Sequence, residues 1–184
     1  MLSPEFYDAF SGFEYILMNQ LDAFAFSDEL DYWCHAGYDY IGAPWFGTYI
    51  IRNFKISSLF PAWARWVGRF LPTREYSVGN GGFSLRKVSS FRRISKYLAY
   101  FAGRWEYNED TFWSCAGSSL YPRFRVADME TALRFSFELE PRRCYELNGR
   151  QLPFGCHAWE RYDIEFWRPV LASKGYKIEE VNTL

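Results

Sequence analysis

The chain has 184 residues, 21 Lys and Arg against 22 Asp and Glu, and a formal net charge of −1. That length suits one domain burying roughly 70% of the surface its unfolded chain exposes, so the core stands without staples. The near-neutral balance gives no reason to expect nucleic acid as a partner, and there is no eighteen-residue apolar run to cross a membrane.

Aromatic residues make up 22% of the chain, with eight Trp among them. A core seldom consumes so many, so some are expected to line a cleft where flat rings stack on sugar faces. Cys34, Cys115, Cys144 and Cys156 stand far apart, with no Cys-x-x-Cys pair and no secretory leader before them. The expectation is a reduced, cytoplasmic protein whose cysteines serve as small buried hydrophobes.

In chain order, Ser3-Pro4-Glu5 opens a helix that Gly12 ends. Glu14 to Asp22 follows, an apolar run of Tyr15, Ile16, Leu17 and Met18 with a polar tip, Gln20-Leu21-Asp22. Such a run predicts a central parallel strand covered on both faces, lying mid-sheet. Asp22 then either caps the next turn or holds a divalent cation through its hard oxygens. The chain enters mid-pattern, with nothing upstream to pair this strand on one side. An open apolar edge, and self-association through it, are expected.

Ser27-Asp28-Glu29 starts a second helix, stopped by Gly37, and Tyr38 to Ala43 forms a short strand that Pro44 closes. The α-β-α-β alternation predicts an α/β fold: a mostly parallel sheet with helices on its faces. Residues 47–75 break the rhythm and read as an insertion. Within it, 62–71 sets Trp63, Trp66, Val67 and Phe70 at helical spacing, with Arg65 and Arg69 off that stripe. This is either a short helix packed over the domain or an interfacial helix touching a membrane surface.

Order returns at Val78-Gly79-Asn80-Gly81-Gly82-Phe83-Ser84-Leu85-Arg86, three glycines around an asparagine before an alternating strand. A tight turn needs one glycine, so the loop is read as ligand-facing. The next helix, near Ser89 to Phe101, should bury Phe91, Ile94, Tyr97, Leu98 and Phe101 and turn Arg92, Arg93 and Lys96 outward. Asn108-Glu109-Asp110 opens a helix to Gly117, with Asn108 as cap. A carboxylate held there beside the glycine loop suits general-base work; adjacent carboxylates diverge, and Asp110 is the one chosen.

Asp128 to Arg134 reads as a helix and Phe135 to Glu138 as a strand. Asn148-Gly149 reads as a hairpin turn between Cys144–Leu147 and Arg150–Leu152. In Leu152-Pro-Phe-Gly-Cys-His-Ala-Trp159, His157 follows Pro and Gly in a rigid turn, placed either to pack and cap or to reach a metal or phosphate. The tail, with Trp167, Pro169 and Gly175, reads as a kinked closing helix.

Five segments in one order carry a resemblance: Gln20-Leu-Asp22-Ala-Phe24, Tyr38-Asp-Tyr-Ile-Gly-Ala-Pro-Trp45, Gly79-Asn-Gly-Gly-Phe-Ser-Leu-Arg86, Asn108-Glu-Asp110 and Pro153-Phe-Gly-Cys-His-Ala-Trp159. Over about residues 1–160 the chain resembles an uncharacterised family of glycosyltransferase-like proteins, whose motif order is similar to that of the GT-A nucleotide-sugar transferases. The resemblance implies a partial GT-A-like, Rossmann-like domain over 1–184, with the N-terminal nucleotide-binding half expected to be missing. It implies a nucleotide-sugar donor, a glycan or other hydroxyl acceptor, and a divalent cation, Mn or Mg. By the same resemblance Asp22 matches the last aspartate of an Asp-x-Asp motif and, with His157, would hold the metal. Gln20 stands where the first acid usually is, leaving one anionic ligand fewer. Gln20, Asn80, Gly81 and Gly82, with Trp45 and Trp159, would border donor and acceptor, and Asp110, beside Glu109, would be the base. The alternative is a non-catalytic carbohydrate-binding or degenerate module.

Overall fold

A computed structural model describes residues 1–52, 54, 59–70 and 75–177. The elements in chain order are α1 (Pro4–Asp8), β1 (Tyr15–Asn19), β2 (Ala23–Ala25), α2 (Leu30–His35), β3 (Tyr40–Ile41) and β4 (Ala43–Pro44). Two 3₁₀ segments, Gly47–Tyr49 and Ala62–Phe70, lead to β5 (Val78–Gly79), β6 (Phe83–Lys87), α3 (Val88–Tyr97) and α4 (Ala99–Ala102). A continuous helical stretch changes register from α5 (Glu109–Thr111) through a π-helix (Phe112–Gly117) to α6 (Ser118–Leu120). The rest is α7 (Met129–Phe135), β7 (Ser136–Phe137), α8 (Pro141–Leu147), β8 (Gly155–His157) and α9 (Ile164–Ser173).

The fold is mixed α/β, built on small sheets rather than one mostly parallel sheet. One sheet has the order β1-β6-β3, with both pairs antiparallel. A second has the order β2-β8-β7, antiparallel then parallel, and β4 pairs antiparallel with β5. The strand expected mid-sheet, β1, is an edge strand, and its apolar side chains are half-buried. Among the described residues no strand pairs with its outer edge. The absence of polar alternation came from two covered faces, not two neighbouring strands: Ile16 packs on one core cluster while Tyr15 and Leu17 pack on another.

Those clusters make the first sheet the middle of three layers. On one face lie Tyr7 of α1, Phe91 and Ile94 of α3, and Phe112 and Trp113 of the π-helix, with Tyr40 from β3. On the other, Ile41, Phe83 and Leu85 meet Trp33 of α2 and Phe135 of α7. A third cluster joins Phe137 and Cys156 of the second sheet to Cys144 of α8 and Trp167 and Leu171 of α9. All four cysteines are free; Cys115, Cys144 and Cys156 are buried and Cys34 is half-buried.

The polar positions of β6 do not face water. Ser84 and Arg86 are fully buried on the α1/α3 side. The Arg86 guanidinium donates to both oxygens of Glu109, at 2.6 and 3.2 Å, to the Tyr7 hydroxyl at 3.1 Å and to Ser84 Oγ at 3.1 Å. The Trp113 indole N–H also donates to Glu109, at 2.8 Å. Burying a charge costs several kcal/mol unless such partners compensate it.

Other expectations are corrected by local chemistry. There is no hairpin at Asn148-Gly149: Pro141 sits in the first turn of α8, and Gly149, at φ +66°, closes the helix from the left-handed region. Asn108 makes no side-chain cap; its carbonyl accepts from Thr111 Oγ1 instead. Tyr97 is exposed rather than buried, because the buried stripe of α3 runs through Phe91, Ile94, Ser95 and Leu98 and leaves position 97 beside Lys96 on the outer face. The insertion segment Ala62–Phe70 buries Ala64 and leaves Trp63, Trp66 and Phe70 in water, so it is not a helix packed by its aromatic stripe. Arg92, Arg93 and Lys96 do point outward, with Arg92 and Lys96 pairing to Asp8 of α1.

Glu109→Gln should cost about 3–5 kcal/mol of stability in urea unfolding, because the buried Arg86 loses its counter-charge. Replacing both residues by Met should cost less than that single change.

Candidate functional site

The antiparallel register Asn19↔Phe83 sets the end of β1 beside the loop that enters β6. The Gln20 N–H donates to the Gly82 carbonyl at 2.9 Å and locks that junction. The pairing Ala23↔His157 brings Asp22 to the end of β8, and the parallel pairing of β7 with β8 puts Glu138 there too. Short elements thus deliver Gln20, Asp22, Gly82, Glu138 and His157 to one place.

His157 sits at the centre. Its Nδ1 lies 2.9 Å from Glu138 Oε1, and its Nε2 lies 3.1 Å from Gln20 Oε1 and 3.4 Å from Asp22 Oδ1. Burial opposes the charge on this ring, but the hydrogen bond to Glu138 and the negative charges of Glu138, Asp22 and Asp110 outweigh it and raise the pKa above 6.5. Gly82 completes the packing: a Cβ there would overlap the imidazole, so only glycine permits this approach.

The preceding residue but one, Asn80, is fully buried at φ +121°. Its Oδ1 accepts from the N–H groups of Gly82 at 2.7 Å and Phe83 at 3.2 Å, which fixes the loop, while its Nδ2 finds no partner among the described residues. The Asn80 carbonyl accepts from the Tyr40 hydroxyl at 3.0 Å. The Asn80 N–H donates to Asp110 Oδ2 at 3.2 Å, and the Thr111 N–H to Asp110 Oδ1 at 2.8 Å. Burial raises the Asp110 pKa, aided by the charges of Glu109 and Glu138 and only partly offset by the two backbone N–H groups. Asp110 is therefore a fixed carboxylate that takes up a proton more readily than a solvated one.

The residues singled out from sequence divide in two. Gln20, Asp22, Asn80, Gly82, Asp110 and His157 are linked by the contacts above, and Gly81 adjoins Glu109. The Glu109 carboxylate itself is occupied by Arg86 and Trp113. Trp45 is buried with its ring against Gly79, behind the loop, and Trp159 packs half-buried on the C-terminal cluster. Sequence reading missed Glu138, although an acid directly after a two-residue buried strand is a signal of the same kind as Asp22 after β1. A cavity of about 570 Å³ lined by Tyr32, Trp33, Arg134 and Lys174 holds none of the clustered residues.

Among the described residues no group of three or more His, Cys, Asp or Glu side chains is arranged to hold a metal ion. The set at Nε2 is one carboxylate, one imidazole and one amide oxygen. This fits a divalent cation that draws its remaining ligands from a bound phosphate rather than from a protein cage. Glu138 on Nδ1 is the kind of outer partner that orients a ligating imidazole.

Residues 1–157 match the family described as "Protein of unknown function (DUF5672)". The chain belongs to that family. No curated protein and no solved structure matches it. The match spans every clustered residue of this DUF5672 chain, from Gln20 to His157. Among its described residues no helix is long and apolar enough to cross a membrane.

Glu138→Gln should lower the His157 pKa, since it removes the adjacent opposite charge and its hydrogen bond. With two histidines in the chain, the titration is read by NMR without ambiguity of more than one partner signal, His35. The raised pKa also sets a stability window. The folded chain holds the proton to higher pH than the unfolded one, so the ring's contribution is complete below about pH 6.5 and lost as pH rises through the folded value. The gap in thermal midpoint between wild type and His157→Gln should therefore shrink with rising pH.

Proposed function

We propose that this chain is glycosyltransferase-like, moving a sugar from a nucleotide-sugar donor to a hydroxyl acceptor, with Asp110 as general base. The observation that carries the reading is the junction of Asp110 to the Asn80–Gly82 loop through the Asn80 N–H, with His157 packed on Gly82 in that same loop. A base, a loop that backbone or sugar can approach closely, and a phosphate-facing group then share one locus.

In this scheme the acceptor oxygen bonds to the anomeric carbon as its proton passes to Asp110. The bond from that carbon to the diphosphate oxygen breaks, and the electron pair leaves with the nucleoside diphosphate. Each Asp110 oxygen already accepts one backbone N–H, which aims its remaining lone pairs and prevents rotation.

Charge balance supports a cation. Asp22, Asp110 and Glu138 surround a single imidazole, so the cluster is net anionic when all three are ionised and repels a diphosphate by itself. Asp22, His157 and the Gln20 amide oxygen would hold a Mn or Mg ion, which supplies charge neutralisation to the leaving diphosphate.

A binding module without transfer is the second reading, favoured by Gln20 in place of an acid and by the engagement of Glu109 with Arg86. Asp110→Asn separates the two. Transfer should fall by about 10²–10⁴-fold with donor affinity kept, because the amide retains the shape and cannot take the proton. Wild-type turnover in the variant would remove Asp110 from the role. Equal binding by both proteins, with no transfer from either across a panel of nucleotide-sugars, would favour the module.

The cation is tested apart from activity. With a nucleoside diphosphate present, Mn²⁺ affinity by calorimetry should rise as pH passes through the His157 pKa, since the ring must lose its proton to ligate. It should weaken in Asp22→Ala and in His157→Ala. Affinity unchanged by either variant would place the ion elsewhere.

A further inference from the structure

We propose that the 3₁₀ helix Ala62–Phe70 docks on an anionic lipid surface and lies in its headgroup layer. This helix is inverted with respect to burial. Ala64 is turned into the protein, while Trp63 is 81% exposed, Trp66 61% and Phe70 78%. Three large rings standing in water on nine residues of backbone form a surface that water penalises and a partner relieves. The rings of Trp66 and Phe70 meet edge to face with centroids 6.1 Å apart, so these two form one apolar surface.

Charge decides which partner fits. From Tyr40 to Arg74 the sequence contains no Asp or Glu and five cations, Arg52, Lys55, Arg65, Arg69 and Arg74, of which Arg52 pairs with Glu75 just past this stretch. The whole chain carries −1, so the rest of the sequence is net acidic and this stretch is its basic part. Arg65 is exposed between Trp63 and Trp66. Amphipathic rings alternating with cations match the boundary between lipid headgroups and acyl chains, where Trp settles and Arg meets phosphate. A neutral apolar groove would satisfy the rings and leave the cations unmatched.

The chain between β4 and β5 is also anchored where lipid contact has a use. The bridge Ile51↔Tyr76 and the pairs Pro44↔Val78 and Ala43↔Gly79 close its base, and the next residues are Asn80–Gly82. Docking would hold that loop close to the surface. The inference stands on exposure and charge, and does not rest on the transfer reaction.

The test is co-sedimentation of the whole chain with vesicles of phosphatidylcholine and of equal parts phosphatidylcholine and phosphatidylserine. Binding to the mixed vesicles, weakened by salt, and little to phosphatidylcholine alone is expected. The triple variant Trp63→Ser, Trp66→Ser, Phe70→Ser should lose binding while keeping the wild-type thermal midpoint, since all three sites are exposed. Arg65→Gln should weaken binding about fivefold. Tyr97→Ser, exposed on α3, should leave it unchanged. Absence of binding to the mixed vesicles, equal binding to both vesicle types, or retention by the triple variant would overturn the proposal. So would a dimer, seen by sedimentation velocity without lipid, that the triple variant dissolves and that vesicles do not displace.

Discussion

The arrangement hangs on a guanidinium with no access to water. Arg86 projects from the middle strand of the first sheet into the layer of α1, α3 and the π-helix, and its charge is met there by Glu109, Tyr7 and Ser84. A buried Arg is tolerable only when its fork is filled, so α1 and α5 are both fixed relative to β6. Adjacent side chains on a helix diverge, and with Glu109 committed to Arg86 its neighbour Asp110 is turned to the Asn80 N–H. The placement of the candidate base is thus a by-product of a packing problem solved one residue earlier.

The same cluster shows how two titrating groups are tuned by one neighbourhood. Burial discourages charge on Asp110 and on His157 alike, yet the carboxylates around the ring reverse the outcome for the imidazole and reinforce it for the acid. Both groups therefore keep a proton to higher pH than they would in water. Gly82 makes this coupling compact, because its missing side chain is what lets the ring sit against the loop.

Much of this was legible along the chain. The polar tip after Tyr15–Asn19, the glycines around Asn80, the pair Glu109-Asp110 and the turn before His157 each stood out by residue type, and the structure sets them together. Strand direction was not legible, because an apolar run of four residues reads the same whether its neighbour runs with it or against it. The alternation in Phe83–Arg86 was real, but it did not show that the polar face is buried, which depends on Glu109, distant in sequence, meeting the Arg86 charge. Asn148-Gly149 carried a turn signal that serves hairpins and helix ends equally, and Pro141 seven residues earlier was the feature that decided between them. Glu138 was passed over because its partner, His157, lies across a parallel pairing that no local pattern announces.

The buried thiols have a use of their own. Cys115 lies in the π-helix, Cys144 in α8 and Cys156 in β8, so two of the three core clusters hold or adjoin one. Burial pushes the Cys115 and Cys144 thiols up to about 12 and raises Cys156 as well. A thiol that is both hidden and protonated does not react with alkylating reagents while its surroundings stay closed. Each cysteine is therefore a native clock for the opening of its own region, and the order in which the three become labelled would rank the π-helix, α8 and β8 by local stability without a single engineered probe.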